Sequence, residues 1–179
     1  MEYADTEMAR GAIRADYCRL MARYGAWQNR SQMGAAGRLD DADRFMDRGA
    51  FFRSIQGTFS HLLWSDAIWM SRLAGTPPPD VGLEESPDYL SDWSDFSAER
   101  ARLDAVIRDW AEALRDMDLA GDLTFHSASA QRSLTRPWSV CVAHFFNHQT
   151  HHRGQIHAML TAAGVAPGAT DIILMPSGY

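Results

Sequence analysis

In four long segments of the chain, apolar residues recur at intervals of three and four positions. This periodicity limits the possible folds more than any other feature of the sequence. Such spacing places apolar side chains along one face of an α-helix. The helices predicted in this way run from about Thr6 to Leu39, Ala50 to Ala74, Ser94 to Met117 and Thr135 to Ala163. Strand patterns are sparse, so the sequence predicts an all-α protein built as a four-helix bundle.

The connections between these helices add two details to the predicted fold. Residues 75–92 form a long, proline-marked connection between helices two and three, which is long enough to cross the length of a helix. Residues 123–125 and 132–134 predict a small hairpin before helix four. Thr135 is expected to cap helix four, with Pro137 in its first turn.

The size and cysteine content of the chain are typical of one cytoplasmic domain. The 179 residues predict a single domain over 1–179, which can bury a core without a disulfide or a structural metal. Cys18 and Cys141 share no metal-type spacing and are expected to be reduced core thiols. The N-terminus lacks an apolar signal core, and no apolar run approaches the roughly 20 residues of a membrane span.

The charged residues exclude several kinds of partner and chemistry. A net charge of −6 opposes general binding to nucleic-acid backbones, which need a basic surface. All 17 basic residues are arginine, so lysine Schiff-base chemistry and a P-loop lysine are both excluded.

Histidines are concentrated in one stretch of helix four, HFFNHQTHHRGQIH (144–157), which holds five of the seven in the chain. At about 100° per residue, His144, His148 and His152 share the core face of the helix. A His-x3-His pair sets two imidazoles one turn apart, where one cation can bind both. Hydrogen-bonded core histidines are the alternative interpretation. His151 and His157 are expected on the flank and the far side.

His61 in helix two is the candidate for a third ligand. Its helical neighbours are small or polar, which is typical of a cavity wall: Ser54, Gly57, Thr58 and Ser65. Three neutral imidazoles would not offset the charge of a bound cation. The next ligand is therefore expected to be an anion such as hydroxide, thiolate or carboxylate. Gln155 lies on the histidine face and could hydrogen-bond an imidazole or a ligand. His144 is expected to line the pocket.

Two familiar metalloenzyme motifs do not fit the histidine stretch. Gln149 stands where an HExxH zinc protease needs its general-base glutamate. Helix four also lacks the Glu-x-x-His spacing of di-iron carboxylate bundles. Two further residues, Phe146 and Arg153, fall on the side of helix four away from the histidines. Phe146 is expected to be exposed or in a dimer contact, and Arg153 to point away from the core.

The run NHQTHHRGQIHAML-x3-G (147–164) resembles the signature of the DinB/YfiT-like family of metal-dependent proteins. The stretches HLLWSDAIWMSRLAG (61–75) and YGAWQN (24–29) extend this resemblance over most of the chain. The resemblance implies an up-down-down-up arrangement of the four helices and assembly as a homodimer.

The same resemblance implies a divalent transition metal, nickel or zinc above others, held by His61, His148 and His152 with His144 beside them. Some relatives are S-transferases that use low-molecular-weight thiols such as bacillithiol or mycothiol. We therefore expect a metal-dependent enzyme, such as a thiol S-transferase or a hydrolase, that acts on a small-molecule substrate through a metal-activated nucleophile. His144 and Gln155 are the catalytic candidates. A non-catalytic metal-binding stress-response or scaffold protein is the alternative; no nucleic acid or membrane is expected as a partner.

Overall fold

The structure, a computed structural model, describes residues 11–179 and is mostly helical with one small antiparallel sheet. Its α-helices are α1 (Ala15–Ala36), α2 (Asp41–Phe45), α3 (Ile55–Ala74), α4 (Trp93–Ala113) and α5 (Trp138–Ala162). The two strands are β1 (Asp122–Ser127) and β2 (Arg132–Pro137). Short 3-10 turns occupy Ser86–Asp88, Asp116–Leu119 and Ile172–Leu174.

Each of the four long helices packs against two others: α1 and α3 both contact α4 and α5. α3, α4 and α5 contribute large apolar side chains to the core, among them Leu62, Leu63, Met70, Phe96, Leu103, Phe145, Ile156 and Leu160. The buried apolar residues of α1 are small, namely Ala15, Cys18, Ala22, Ala26, Ala35 and Ala36. The predicted apolar stripes therefore meet in one core, to which α1 approaches closely.

The start of α3 differs from the sequence prediction. The helix begins at Ile55 rather than at Ala50, because the Ser54 side chain caps it by accepting a hydrogen bond from the backbone N–H of Gly57 at 2.9 Å. Arg53 has a positive φ of 64°, which a helix cannot contain. The predicted start is wrong, and Phe52 lies in the turn that precedes the helix.

The predicted hairpin before helix four is confirmed and is longer than expected. β1 pairs with β2 in antiparallel register, with Thr124 opposite Thr135. The Thr135 hydroxyl bonds the Thr124 hydroxyl at 2.8 Å, so its expected role as a helix cap is wrong. α5 begins directly after Pro137, and the hairpin therefore lies beside the helix that carries the histidines.

Two other predicted boundaries are also corrected. Residues 11–14 are not helical and α1 begins at Ala15, whereas the expected start at Thr6 lies outside the described residues. α4 ends at Ala113 rather than Met117, because the chain turns into extended backbone at Leu114.

The long 75–92 connection packs back along α3. Its 3-10 turn at Ser86–Asp88 contacts α3, and Trp64 Nε1 donates a hydrogen bond to the Val81 carbonyl at 2.9 Å. The Leu90 carbonyl accepts from Gln56 Nε2 at 2.8 Å, close to the start of α3. The connection thus returns to the first half of α3 and covers the face around His61.

α5 is buried on two sides, which corrects two expectations. Phe146 has 0% exposure and its ring contacts Tyr17 of α1 at a centroid distance of 6.0 Å. Arg153 is 4% exposed, and its guanidinium lies 5.4 Å from the ring centre of Tyr24. A helical wheel with one core face cannot anticipate this, because α3 covers one side of α5 and α1 covers another.

Within residues 11–179, none of the helices combines the length and the apolar character that crossing a bilayer requires.

Candidate metal centre

The histidine cluster consists of His61 from α3 and of His148 and His152 from α5. One ring nitrogen of each residue lies within 4.8 Å of the others. His61 is 4% exposed and His152 is 6% exposed, whereas His148 is half-buried. The three histidines chosen from the sequence are thus adjacent in the fold, and their role as ligands stays a prediction.

Hydrogen bonds fix the protonation of two of the rings. Nδ1 of His61 lies 2.8 Å from the Ser86 hydroxyl, which itself donates to the Leu83 carbonyl at 2.7 Å. The Ser86 oxygen therefore accepts the proton of His61 Nδ1. Nδ1 of His152 lies 2.7 Å from Gln155 Oε1, an atom that can only accept. Both imidazoles carry their proton on Nδ1, so their Nε2 atoms keep a free lone pair.

His148 completes this arrangement. Its Nε2 lies 3.1 Å from Nε2 of His152, and its Nδ1 lies 3.3 Å from the Ser65 hydroxyl. Because His152 Nε2 is unprotonated, such a close approach of two ring nitrogens needs a proton or a cation between them. Ser65 can accept the His148 proton at Nδ1, which frees the lone pair of His148 Nε2. Three imidazole nitrogens within 4.8 Å of one another are a donor set for zinc-like ions.

The environment keeps these rings neutral. Burial, together with neighbouring imidazoles, lowers the pKa of His61 and of His148 to about 3. Burial also lowers the pKa of His152. A neutral imidazole is the form that coordinates a metal, so no proton has to be displaced near neutral pH. The donor set and its protonation fit a divalent transition metal ion.

An aromatic side chain that sequence reasoning missed covers one side of the cluster. The Phe52 ring stacks on the His61 ring at a centroid distance of 3.8 Å and an interplanar angle of 21°. It also lies 5.5 Å from the His152 ring. The capping residue Ser54 was the available signal, because a helix that starts after it leaves Phe52 free to fold over His61.

A cavity of about 500 Å³ opens on the other side of the cluster and is lined by α3, the hairpin, α5 and the 75–92 connection. His61, His148 and His144 all line it. The His144 ring lies 5.6 Å from His148 and 5.1 Å from Trp69. Gln155 is not among the described residues that line this cavity, and its amide oxygen is engaged by His152.

The three remaining histidines of the chain, His126, His151 and His157, do not line the cavity. The exposed His151 ring contacts His152 at 4.9 Å. His157 lines a separate pocket on the α1 side of α5, and His126 is exposed on β1. Neither belongs to the group of three whose nitrogen atoms converge.

A second buried polar group, which the sequence did not predict, lies next to the histidine cluster. Asp66 accepts from Arg100 Nη1 at 2.7 Å and from Gln149 Nε2 at 3.1 Å, and Arg100 Nη2 pairs with Asp104 at 2.8 Å. We call Asp66, Gln149, Arg100 and Asp104 the carboxylate network. Gln149, at the position where a zinc protease would have its glutamate, is thus turned toward Asp66 rather than toward the histidines.

Comparison with known proteins identifies the family of the chain and supports its fold. The sequence pattern of the DinB family matches residues 9–178. The chain belongs to the DinB family. The resemblance found in residues 147–164 is therefore confirmed.

Solved structures support the DinB assignment at the level of the fold. The crystal structure of a DinB-like protein from Bacillus cereus ATCC 10987 matches with a TM-score of 0.61 at 14% sequence identity, over 80% of this chain and 90% of that chain. No curated protein sequence matches the chain. An identity this low shows a shared DinB-like fold, so arguments about chemistry rest on the residues of this chain.

Proposed function

We propose that this DinB family protein binds one divalent transition metal ion through Nε2 of His61, His148 and His152 and acts on a small molecule as a metal-dependent enzyme. The observation that carries the proposal is the convergence of three neutral imidazoles, two of which have their Nδ1 protons fixed by neighbouring acceptors. Imidazole donors suit nickel and zinc, which are the metals we propose.

The proposed reaction is thiol S-transfer or hydrolysis. When bound, the metal ion supplies a Lewis acid that lowers the pKa of a water or a thiol. Ser86 and Gln155 hold the imidazoles of His61 and His152 in one orientation, and Phe52 shields His61 from water. His144 lines the cavity and burial lowers its pKa, so its neutral ring can accept a proton from an incoming nucleophile.

The cavity favours an enzyme over the alternative of a non-catalytic metal-binding stress-response or scaffold protein. A cavity of about 500 Å³ that reaches His61 and His148 leaves space for a substrate. A scaffold has no need for open space next to its metal. A low-molecular-weight thiol is the proposed co-substrate for the S-transfer reaction.

Metal stoichiometry tests the site. Protein treated with a chelator and refilled with nickel or zinc is expected to retain about one ion per chain. His148→Ala is expected to weaken the affinity by on the order of a hundredfold or more, because it removes a direct ligand. His157→Ala, on the same helix but outside the cluster, is the matched control and keeps the affinity of the wild type. Wild-type protein that retains no ion would contradict the proposal.

A substrate screen tests the enzymatic claim. Metal-loaded protein is incubated with a panel of thiols and electrophiles, and with ester and amide substrates for the hydrolase reaction. The expected result is turnover that His61→Ala abolishes. If every thiol and every ester reacts at the rate seen with His61→Ala, the protein is no S-transferase or hydrolase of these substrates, and the scaffold alternative is favoured.

We also propose the up-down-down-up arrangement for α1, α3, α4 and α5. The return of the 75–92 connection to the first half of α3 supports a parallel α3–α4 pair. The pairs Arg23–Glu112 and Asn29–Asp104 support an α4 that runs antiparallel to α1. The pairs Tyr17–Phe146 and Gln32–Arg153 support an α5 that runs parallel to α1.

Three further expectations stay predictions: one domain over 1–179, a cytoplasmic location and assembly as a homodimer. Light scattering on the purified protein checks the last of these. A mass equal to that of one 20.0 kDa chain would contradict it.

A further inference from the structure

The cavity beside the histidine cluster has a positively charged lining. Two arginines, Arg72 of α3 and Arg136 of β2, contribute to its wall. Among the described residues that line it, there is no aspartate or glutamate. The rest of the wall is largely apolar, including Trp69, Phe125 and Leu134. A wall of this kind favours a ligand with a negative charge and an apolar body.

Arg72 is held in place by two aromatic rings and one hydrogen bond. Its guanidinium lies 4.8 Å from the ring centre of Trp69 and 4.6 Å from that of Phe125. Its Nη2 donates to the His126 carbonyl at 2.9 Å. A guanidinium has five N–H donors, and within residues 11–179 no carboxylate forms an ion pair with Arg72. The group is therefore oriented, charged and available to a carboxylate.

Arg136 is already engaged. Its Nη1 donates to the Thr135 carbonyl at 2.7 Å, and it has further interactions. We therefore assign the recognition of an anion to Arg72 and treat Arg136 as a contributor to the positive potential of the cavity.

A continuous row of side chains connects Arg72 with the histidine cluster. Trp69 contacts the His144 ring at 5.1 Å, and His144 contacts His148 at 5.6 Å. Along α3, His61 and Arg72 are separated by about 16 Å, from their spacing in the sequence and the rise of a helix.

We propose that the cavity binds an elongated organic carboxylate: its carboxylate on Arg72, its apolar body against Trp69 and Phe125, and its reacting group at the histidine cluster. This inference rests on the proposed function, which places the reacting group of the ligand at the histidine cluster. The planar guanidinium fork donates two parallel hydrogen bonds to a carboxylate, and one guanidinium matches its single charge.

Binding to the metal-free protein tests the anion site without any activity. Octanoate and octanol have the same length and differ in the charged group. Calorimetry is expected to show octanoate binding about tenfold or more tightly than octanol, as for a hydrogen bond to a charged group. Arg72→Gln is expected to remove this preference and to change octanol binding much less.

Two variants serve as controls for this measurement. Arg72→Lys keeps the charge without the fork and is expected to retain part of the preference. Arg132→Gln removes the same charge from an exposed position on β2, outside the cavity wall, and is expected to retain all of it. If Arg72 only docks the hairpin, Arg72→Gln will weaken octanol and octanoate equally. That result, or the absence of any octanoate preference in the wild type, overturns the inference.

Nickel-loaded protein then separates this inference from the proposed function. Mercaptoundecanoate and mercaptoundecanol are titrated while the thiolate-to-nickel absorption band is followed. The long carboxylate is expected to bind about tenfold more tightly than the alcohol, whereas short mercaptopropionate cannot reach Arg72 and gains nothing. Equal affinities of the two long thiols, with the band present, overturn the carboxylate site and leave the metal site intact. Loss of the metal with the octanoate preference retained overturns the proposed function and leaves the carboxylate site intact.

Discussion

α3 and α5 contribute to two neighbouring polar groups, of which the carboxylate network also includes α4. The polar atoms of the two groups are satisfied in opposite ways. In the carboxylate network, Asp66 and Arg100 pair at 2.7 Å, both at 2% exposure or less, and Gln149 supplies a further hydrogen bond. Charges of opposite sign satisfy each other within the chain. In the histidine cluster, the rings are neutral, and the Nε2 atoms of His148 and His152 face each other at 3.1 Å.

This difference separates a structural group from the group that we propose to bind a metal. A network of buried ion pairs between helices stabilises the packing of those helices without any ligand. A cluster of converging imidazole nitrogens has lone pairs without a hydrogen-bond donor, and a bound cation would satisfy them. Because the two groups share α3 and α5 and most of their side chains are buried, substitutions in each can be compared directly.

The largest expected effect is on the stability of the carboxylate network. Arg100→Met leaves the buried carboxylate of Asp66 without its cationic partner and is expected to lower the free energy of unfolding by about 3–5 kcal/mol. Urea unfolding of metal-free protein measures it. Arg102→Met, which breaks the exposed pair with Glu99 on the same helix, is the matched control and costs about 1 kcal/mol or less. Similar values for both variants would show that the buried pair contributes no more than a surface pair.

A smaller effect is expected for a residue that supports the histidine cluster. Gln155→Ala removes the acceptor for Nδ1 of His152 and is expected to weaken metal affinity by about 10–100-fold. Competition with a chromogenic chelator measures the affinity.

Gln149→Ala sharpens the comparison from the other side. It removes a hydrogen bond to Asp66 and is expected to lower the stability of the metal-free protein while affecting metal affinity less than Gln155→Ala does. The comparison breaks down if Gln149→Ala is the variant that loses the metal and Gln155→Ala is the one that unfolds.

The histidine cluster could be predicted because its members lie on regular helices. His148 and His152 are four residues apart, which fixes their relative position on α5 whatever surrounds them. His61 stood out by its small neighbours. The supporting residues Phe52 and Ser86 could not be found in this way, because they lie in irregular segments whose paths depend on tertiary contacts.

The carboxylate network escaped prediction for a different reason. Its members come from three helices, and a helical wheel shows which face a residue occupies but not which residue it meets on another helix. Asp66 and Arg100 are 34 residues apart, on either side of the 75–92 connection. Only the return of that connection along α3 brings the two side chains together.

The pH dependence of stability gives the most gradual test of the difference between the two groups. The pKa of His61 in the folded chain is about 3, below its value of about 6.5 in an unfolded chain. Between these values the unfolded chain binds more protons, so the free energy of unfolding falls as the pH falls through this window. Each such histidine contributes a slope of up to about 1.4 kcal/mol per pH unit.

Urea unfolding of metal-free protein between pH 5 and about 6.5, where few carboxylates titrate, measures this slope. His61→Ala is expected to reduce it, because this variant lacks the buried ring that becomes protonated on unfolding. Equal slopes for wild type and His61→Ala would mean that the His61 ring is solvated like one in an unfolded chain. Neutral rings would then no longer distinguish the histidine cluster from the charged carboxylate network.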